Sequence, residues 1–225
     1  MSDLTVAVPV LWRPHRIPAV MEAFKGVDIL FLPDEDDKPT IDALRQHKAW
    51  YSIAHKSDKF GVPTYETKVN HAYQITDTPL LMYASDDVEP EGGWLTHALN
   101  ILRTKPHVGL LATNDGHHPL VKKGKLATHG IIRRTYVQEY GSASHPDDSG
   151  PIFYEGYRHW CCDAEASYVA RMRDAFHYDP NIRVLHRQVR NRHEEERTYA
   201  IGRAHANTDR ALLMERCPTW PEVPT

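Results

Sequence analysis

Two adjacent carboxylates, Asp86 and Asp87, stand directly after the apolar run Leu80, Leu81, Met82, Tyr83, Ala84. Like charges side by side at the end of a buried strand repel unless something neutralises them. Either could be a helix N-cap or a turn acid, but one side chain suffices for that, and Ser85 already offers a hydroxyl. Two oxygen donors in this position suit a hard divalent cation such as Mg2+ or Mn2+, whose shell is commonly completed by nucleotide phosphates. A second acidic pair, Asp163 and Glu165, opens the run CDAEASYVARMRDAF, which reads as a helix. Acids in a first helical turn are favoured by the dipole, and a carboxylate there could also take a proton from a hydroxyl. Two residues apart, they diverge by roughly 200° around a helix, so both cannot face one substrate.

The elements that must position these groups follow from periodicity. LTVAVPV (4–10) and VDILFLP (27–33) read as buried strands, and LLMYA (80–84) and VGLLAT (108–113) as two more. Ile17, Val20, Met21 and Phe24 share a helical face; so do Val69, Ala72, Tyr73 and Thr76, and again Trp94, Leu95, Ala98, Leu99 and Leu102. A further helix is expected near 40–55. The order β-α-β-α-α-β-α-β specifies a mostly parallel sheet with helices on both faces, whose ligands bind beyond the carboxyl ends of the strands. Asp34 and the Asp86–Asp87 pair fall at such ends and should line one crevice. Later, THGIIRRTYVQEYG is expected to contain a strand, residues 141–160 a long mobile loop, YDPNIRVLH a short strand ending at His186, and EEERTYAIGRAHANTDRALLMER a helix.

Composition narrows the classes. The 225 residues suit one α/β domain, and 25% charged with 41% hydrophobic residues excludes wholesale disorder. A net charge of −3 gives no global basic field for nucleic acid. The three cysteines form no CxxC pair, which supports neither a disulfide framework nor a zinc ribbon and fits a reducing, cytoplasmic compartment. No apolar stretch reaches the roughly 18 residues of a membrane span.

In order along the chain, VAVPVLWRP, FLPD, KVNHAYQIT, LLMYASDDVEPEGGWL, CCDAEASYVAR and VLH resemble a family-2 glycosyltransferase of the GT-A fold. The resemblance covers about 190 residues, and short versions of this kind also resemble enzymes carried by bacteriophages. It implies a Rossmann-like mixed sheet, a nucleotide-diphosphate sugar as donor, Mn2+ or Mg2+, and inverting transfer to an acceptor hydroxyl. Pro9, Val10 and Arg13 would border the nucleotide, with Arg13 pairing a phosphate; Asp34 would hold the base or ribose. Lys68 and Asn70 would sit near the nucleotide-sugar. Ser85-Asp86-Asp87 departs from D-x-D at its first position, which assigns Asp87 to the metal and Asp86 to donor hydroxyls. Asp163 matches the family's general base, with Glu165 as competitor. His186 would be a third metal ligand or a diphosphate contact, with His193 as its competitor, and His117 and His118 could border the acceptor. The resemblance divides a single domain of residues 1–225 into a donor half (1–115) and an acceptor half (116–225), and leaves the acceptor open among glycan, protein and modified nucleic acid.

Three other readings compete. A sugar-phosphate nucleotidyltransferase needs a Gly-rich phosphate loop after the first strand, and PVLWRPHR has no Gly. A two-metal nuclease needs more clustered acid and a basic track. A non-catalytic carbohydrate- or nucleotide-binding module would explain the crevice but not the late acid at Asp163.

Overall fold

The run Leu80–Tyr83 is buried on both faces because it lies near the middle of a sheet. In the computed structural model, which describes residues 3–145, 148, 150–187 and 197–221, the strands are β1 (Leu4–Pro9), β2 (Asp28–Leu32), β3 (Leu80–Tyr83), β4 (Val88–Pro90), β5 (Leu110–Asn114), β6 (Gly130–Arg133) and β7 (Phe176–His186). They form one sheet in the order β2-β1-β3-β6-β5-β7-β4. Side chains alternate across it: Leu80 and Met82 enter one apolar layer with Val6, Val8 and Trp94, while Leu81 and Tyr83 enter the other with Val69, Ile132 and Phe153. His193 lies outside the described residues.

The first half has the expected parallel pairing, β1 with both β2 and β3. Beyond β3 the sheet is mixed: β6 runs antiparallel to both β3 and β5, β7 is parallel to β5, and β4 is antiparallel to β7. The helices are α1 (Ile17–Ala23), α2 (Lys38–Gln46), α3 (Tyr65–Ile75), α4 (Trp94–Thr104), α5 (Pro119–Lys122), α6 (Arg134–Tyr140), α7 (Cys162–Met172) and α8 (Arg197–Arg216). The helix expected near 40–55 ends early, at Gln46. Among the described residues no helix is long and apolar enough to cross a membrane.

Local chemistry sets the start of two helices, α3 and α2. Thr64 and Thr67 cap α3 reciprocally, each side chain meeting the other's backbone N–H at 3.3 and 2.9 Å. Asp37 caps α2 by accepting the Thr40 N–H, and it also accepts the N–H of Trp12, a residue held at φ 59 in the turn after β1. Asp37 is therefore a structural acid, distinct from its neighbours Asp34 and Asp36.

Among its described residues the 141–160 segment has no helix or strand, yet several of its side chains are packed into the core. Ile152, Phe153 and Tyr157 are fully buried. The clasp is Asn70 of α3: its Oδ1 accepts the N–H groups of Ile152 and Phe153 at 3.0 Å each, and its Nδ2 donates to Phe153 O at 2.8 Å and Glu155 Oε1 at 2.9 Å. Gly150 belongs to the same contact, since a Cβ there would meet Asn70 Nδ2 at 2.0 Å. Every hydrogen-bonding position of the amide is used in holding residues 152–155. Asn70→Ala is expected to strand these buried groups and lower stability by about 3 kcal/mol, read as an earlier thermal or urea transition.

Candidate active site

The short strand β4 decides where the acids go. Directly after Asp87, Val88 pairs with His186 of β7, and Arg187 N donates to Asp87 O at 2.8 Å. On its other side His186 N donates to Asp115 O at 3.1 Å. This register brings His186 Nε2 to 3.1 Å from Asp87 Oδ1, although the residues are distant in sequence. Two ligand atoms about 2.1 Å from one ion and at right angles lie about 3 Å apart. The pair thus has the spacing of neighbouring coordination positions, and its imidazole favours Mn2+ over the more strictly oxygen-seeking Mg2+. Among the described residues no three His, Cys, Asp or Glu side chains form a complete ligand set. The remaining positions would fall to phosphate oxygens and water.

Asp86 has another partner. Its Oδ1 accepts from Arg13 Nη1 at 2.6 Å, and the same nitrogen is 3.9 Å from Asp87 Oδ2. All three side chains are almost fully buried. Burial nevertheless outweighs the guanidinium and, with Asp87's charge, pushes the Asp86 carboxyl up to about 6. Its Oδ2 is buried without a hydrogen-bond partner, although the residue lines the cavity of the site. Arg13 neutralises the acidic pair here, rather than standing ready for a phosphate alone.

These groups open onto one cavity of about 1030 Å3. One wall comes from the end of β1 and the turn after β2: Pro9, Val10 and Asp34. Lys68 of α3 ties that wall together, with Nζ 2.5 Å from Asp34 Oδ1 and donating to Val10 O at 3.0 Å. Burial lowers the Lys68 pKa, and the charge of Asp34 opposes the shift. The first turn of α7, with Asp163, and the preceding segment Arg158–Cys161 also line the cavity. Asp163 Oδ1 accepts the Ala164 N–H at 2.9 Å, and burial pushes its carboxyl up to about 6 against that bond. Asp115 across the cavity adds to the rise and His186 offsets it.

Glu165 does not share this cavity. Fully buried behind α7, it accepts from Tyr157 Oη at 2.6 Å and from Arg216 Nε and Nη2 of α8, both at 2.7 Å. The divergence required by a two-residue helical step separates the acids, and Glu165 is an anchor for α8. Asn70, as above, is likewise absent from the cavity. Pro9, Val10, Arg13, Asp34, Lys68, Asp86, Asp87, Asp163 and His186 all line it. So do His117 and His118, presented by a turn in which Asp115 Oδ1 accepts both their N–H groups. Residues not singled out from the sequence also contribute. His129 reaches Ser85, and Asp209 of α8 accepts the N–H groups of Arg158, His159 and Trp160, fixing the wall beside Asp163. No local pattern marks either: His129 precedes a plain GII strand, and Asp209 is one acid in a charged helix.

A parallel β1–β2–β3 half with the acids at its carboxyl ends, continued through antiparallel β6 into β5, β7 and β4, is the GT-A fold. Among solved structures, glucosyl-3-phosphoglycerate synthase from Mycobacterium tuberculosis, in complex with Mn2+, UDP-glucose and phosphoglyceric acid, superposes with TM-score 0.66 at 12% identity, over 96% of this chain and 79% of that one. The mannosyltransferase PcManGT from Pyrobaculum calidifontis, in complex with GDP-Man and Mn2+, superposes with TM-score 0.58 at 12% identity. It aligns over 81% of this chain, which spans only 56% of the mannosyltransferase. No family model and no curated protein matches the sequence.

The two acids of α7 should separate experimentally. Glu165→Ala leaves Arg216 without one of its buried partners and is expected to cost about 3–5 kcal/mol of stability. Asp163→Asn is expected to leave the melting temperature within about 2 °C of wild type.

Proposed function

We propose that the chain is a metal-dependent glycosyltransferase of the inverting, family-2 type, moving a sugar from a nucleotide-diphosphate donor to an acceptor hydroxyl. The observation that carries this reading is that the Asp87–His186 pair and the Asp163 carboxylate line one and the same cavity. Mn2+ in the neighbouring structures, UDP-glucose in one and GDP-Man in the other, supports the same donor chemistry here.

In this reading Pro9, Val10 and Asp34 hold the nucleoside, with Lys68 keeping Asp34 in place. Asp87 and His186 would hold the cation, which when bound offsets the negative charge that builds on the departing diphosphate. Asp86, fixed by Arg13 through Oδ1, lines the cavity and would meet the donor hydroxyls. Asp163 takes the acceptor proton as that oxygen attacks the anomeric carbon; the bond to the diphosphate breaks, and the sugar inverts. Residues 1–115 serve the donor and 116–225 the acceptor, the latter through Arg158, His159 and Trp160.

The elevated Asp163 pKa fits a base for this step. The carboxylate must be deprotonated to work, so kcat/KM should fall as pH drops through about 6 and level off above it. Asp163→Asn should keep donor binding and lose about 10²–10⁴-fold in transfer. The direct test is a panel of sugar nucleotides with Mn2+, following thermal shift and release of nucleotide diphosphate. At least one donor is expected to raise the melting temperature and be turned over; no response to any, with cleavage of single-stranded DNA instead, would sink the transferase reading.

A further inference from the structure

Ser85 opens the acidic motif, and its hydroxyl has two neighbours. Oγ donates to Asp87 Oδ1 at 2.6 Å, and His129 Nε2 lies 3.0 Å from the same Oγ. A hydroxyl has one proton to give. The shorter contact is to a carboxylate, where a charge-assisted bond is the stronger one, so the proton belongs to Asp87. His129 must then donate its Nε2–H to Ser85 Oγ, leaving Nδ1 as a buried acceptor without a partner.

The histidine is held firmly enough to act as an anchor. It is 3% exposed and directly precedes β6, whose Gly130 pairs with Tyr83 of β3. Its carbonyl accepts both the N–H and the hydroxyl of Thr113, at 3.2 and 2.8 Å. The β3–β6 and β5–β6 pairings therefore deliver His129 to Ser85 with little freedom. A third carboxylate at position 85 would add to the repulsion that Arg13 already offsets, whereas a neutral donor lessens it.

We propose that His129 and Ser85 are positioning residues, forming a relay from His129 Nε2–H to Ser85 Oγ and from Ser85 Oγ–H to Asp87 that fixes the metal-binding carboxylate against His186. Outer partners of this kind hold a ligand's orientation, and their loss typically costs 10–100-fold in metal affinity. The inference rests on the metal-dependent reading of the site.

The test is Mn2+ binding to the full chain, followed by the free-ion electron paramagnetic resonance signal, with folding checked by circular dichroism. Ser85→Ala should weaken binding about tenfold or more, and Ser85→Thr, which keeps the hydroxyl, should stay close to wild type. His129→Leu should weaken binding similarly, and the double variant should be no worse than Ser85→Ala alone, because one chain of bonds is broken only once. Wild-type affinity in folded Ser85→Ala, or losses that add in the double variant, would overturn the relay. Wild-type affinity in Asp87→Ala would instead remove the metal site on which the relay depends.

Discussion

The charge balance around Asp86 and Asp87 is the constraint on which the rest of the structure depends. Two carboxylates, nearly excluded from water at the end of a central strand, repel each other strongly. The fold answers with the Arg13 guanidinium against Asp86 and the His186 imidazole within hydrogen-bond distance of Asp87. Neither answer saturates the pair: burial still pushes Asp86 up to about 6, and its Oδ2 lacks a hydrogen bond. An arrangement with this residual electrostatic cost is one that a bound cation and a donor's hydroxyls would relieve.

Topology makes the balance possible. Arg13 follows β1, the acids follow β3, and His186 ends β7, so three strand ends converge on one point. The three-residue strand β4 turns Asp87 toward His186 by pairing Val88 with it. On the far side, α7 contributes Asp163 from its first turn while Glu165 locks Arg216 of α8 from behind. Asp209 pins the intervening segment by accepting the N–H groups of Arg158, His159 and Trp160, so the Asp163 region is firmly built.

Much of this was legible in the sequence, for physical reasons. β1, β2, β3 and β5, with α1, α3 and α4, announce themselves by apolar periodicity, which burial on one or both faces imposes. The crevice followed from strand ends alone, and it does contain Asp34, Asp86 and Asp87. What escaped depends on long-range pairing. β4 is too short and polar to carry a period, α6 lay hidden behind the strand in THGIIRRTYVQEYG, and β6 gave no sign of running antiparallel. The resemblance alone places Asn70 near the nucleotide-sugar; in the structure its amide holds residues 152–155, part of the 141–160 segment whose Gly, Ser, Pro and Asp content suggested mobility. Which of Asp163 and Glu165 lines the cavity could not be read locally, because Glu165 is turned away by Arg216, 51 residues beyond it.

The central claim is that Asp87 and His186 are neighbouring ligands of one divalent cation, with Arg13 retained on Asp86. Anomalous diffraction at the manganese edge, from crystals soaked in Mn2+ and UDP, tests it most directly. The account requires a single strong peak about 2.1 Å from both Asp87 Oδ1 and His186 Nε2, with the Arg13–Asp86 contact intact and the diphosphate completing the shell. Manganese elsewhere in the cavity, or UDP bound with Asp87 and His186 still paired only to each other, would contradict it.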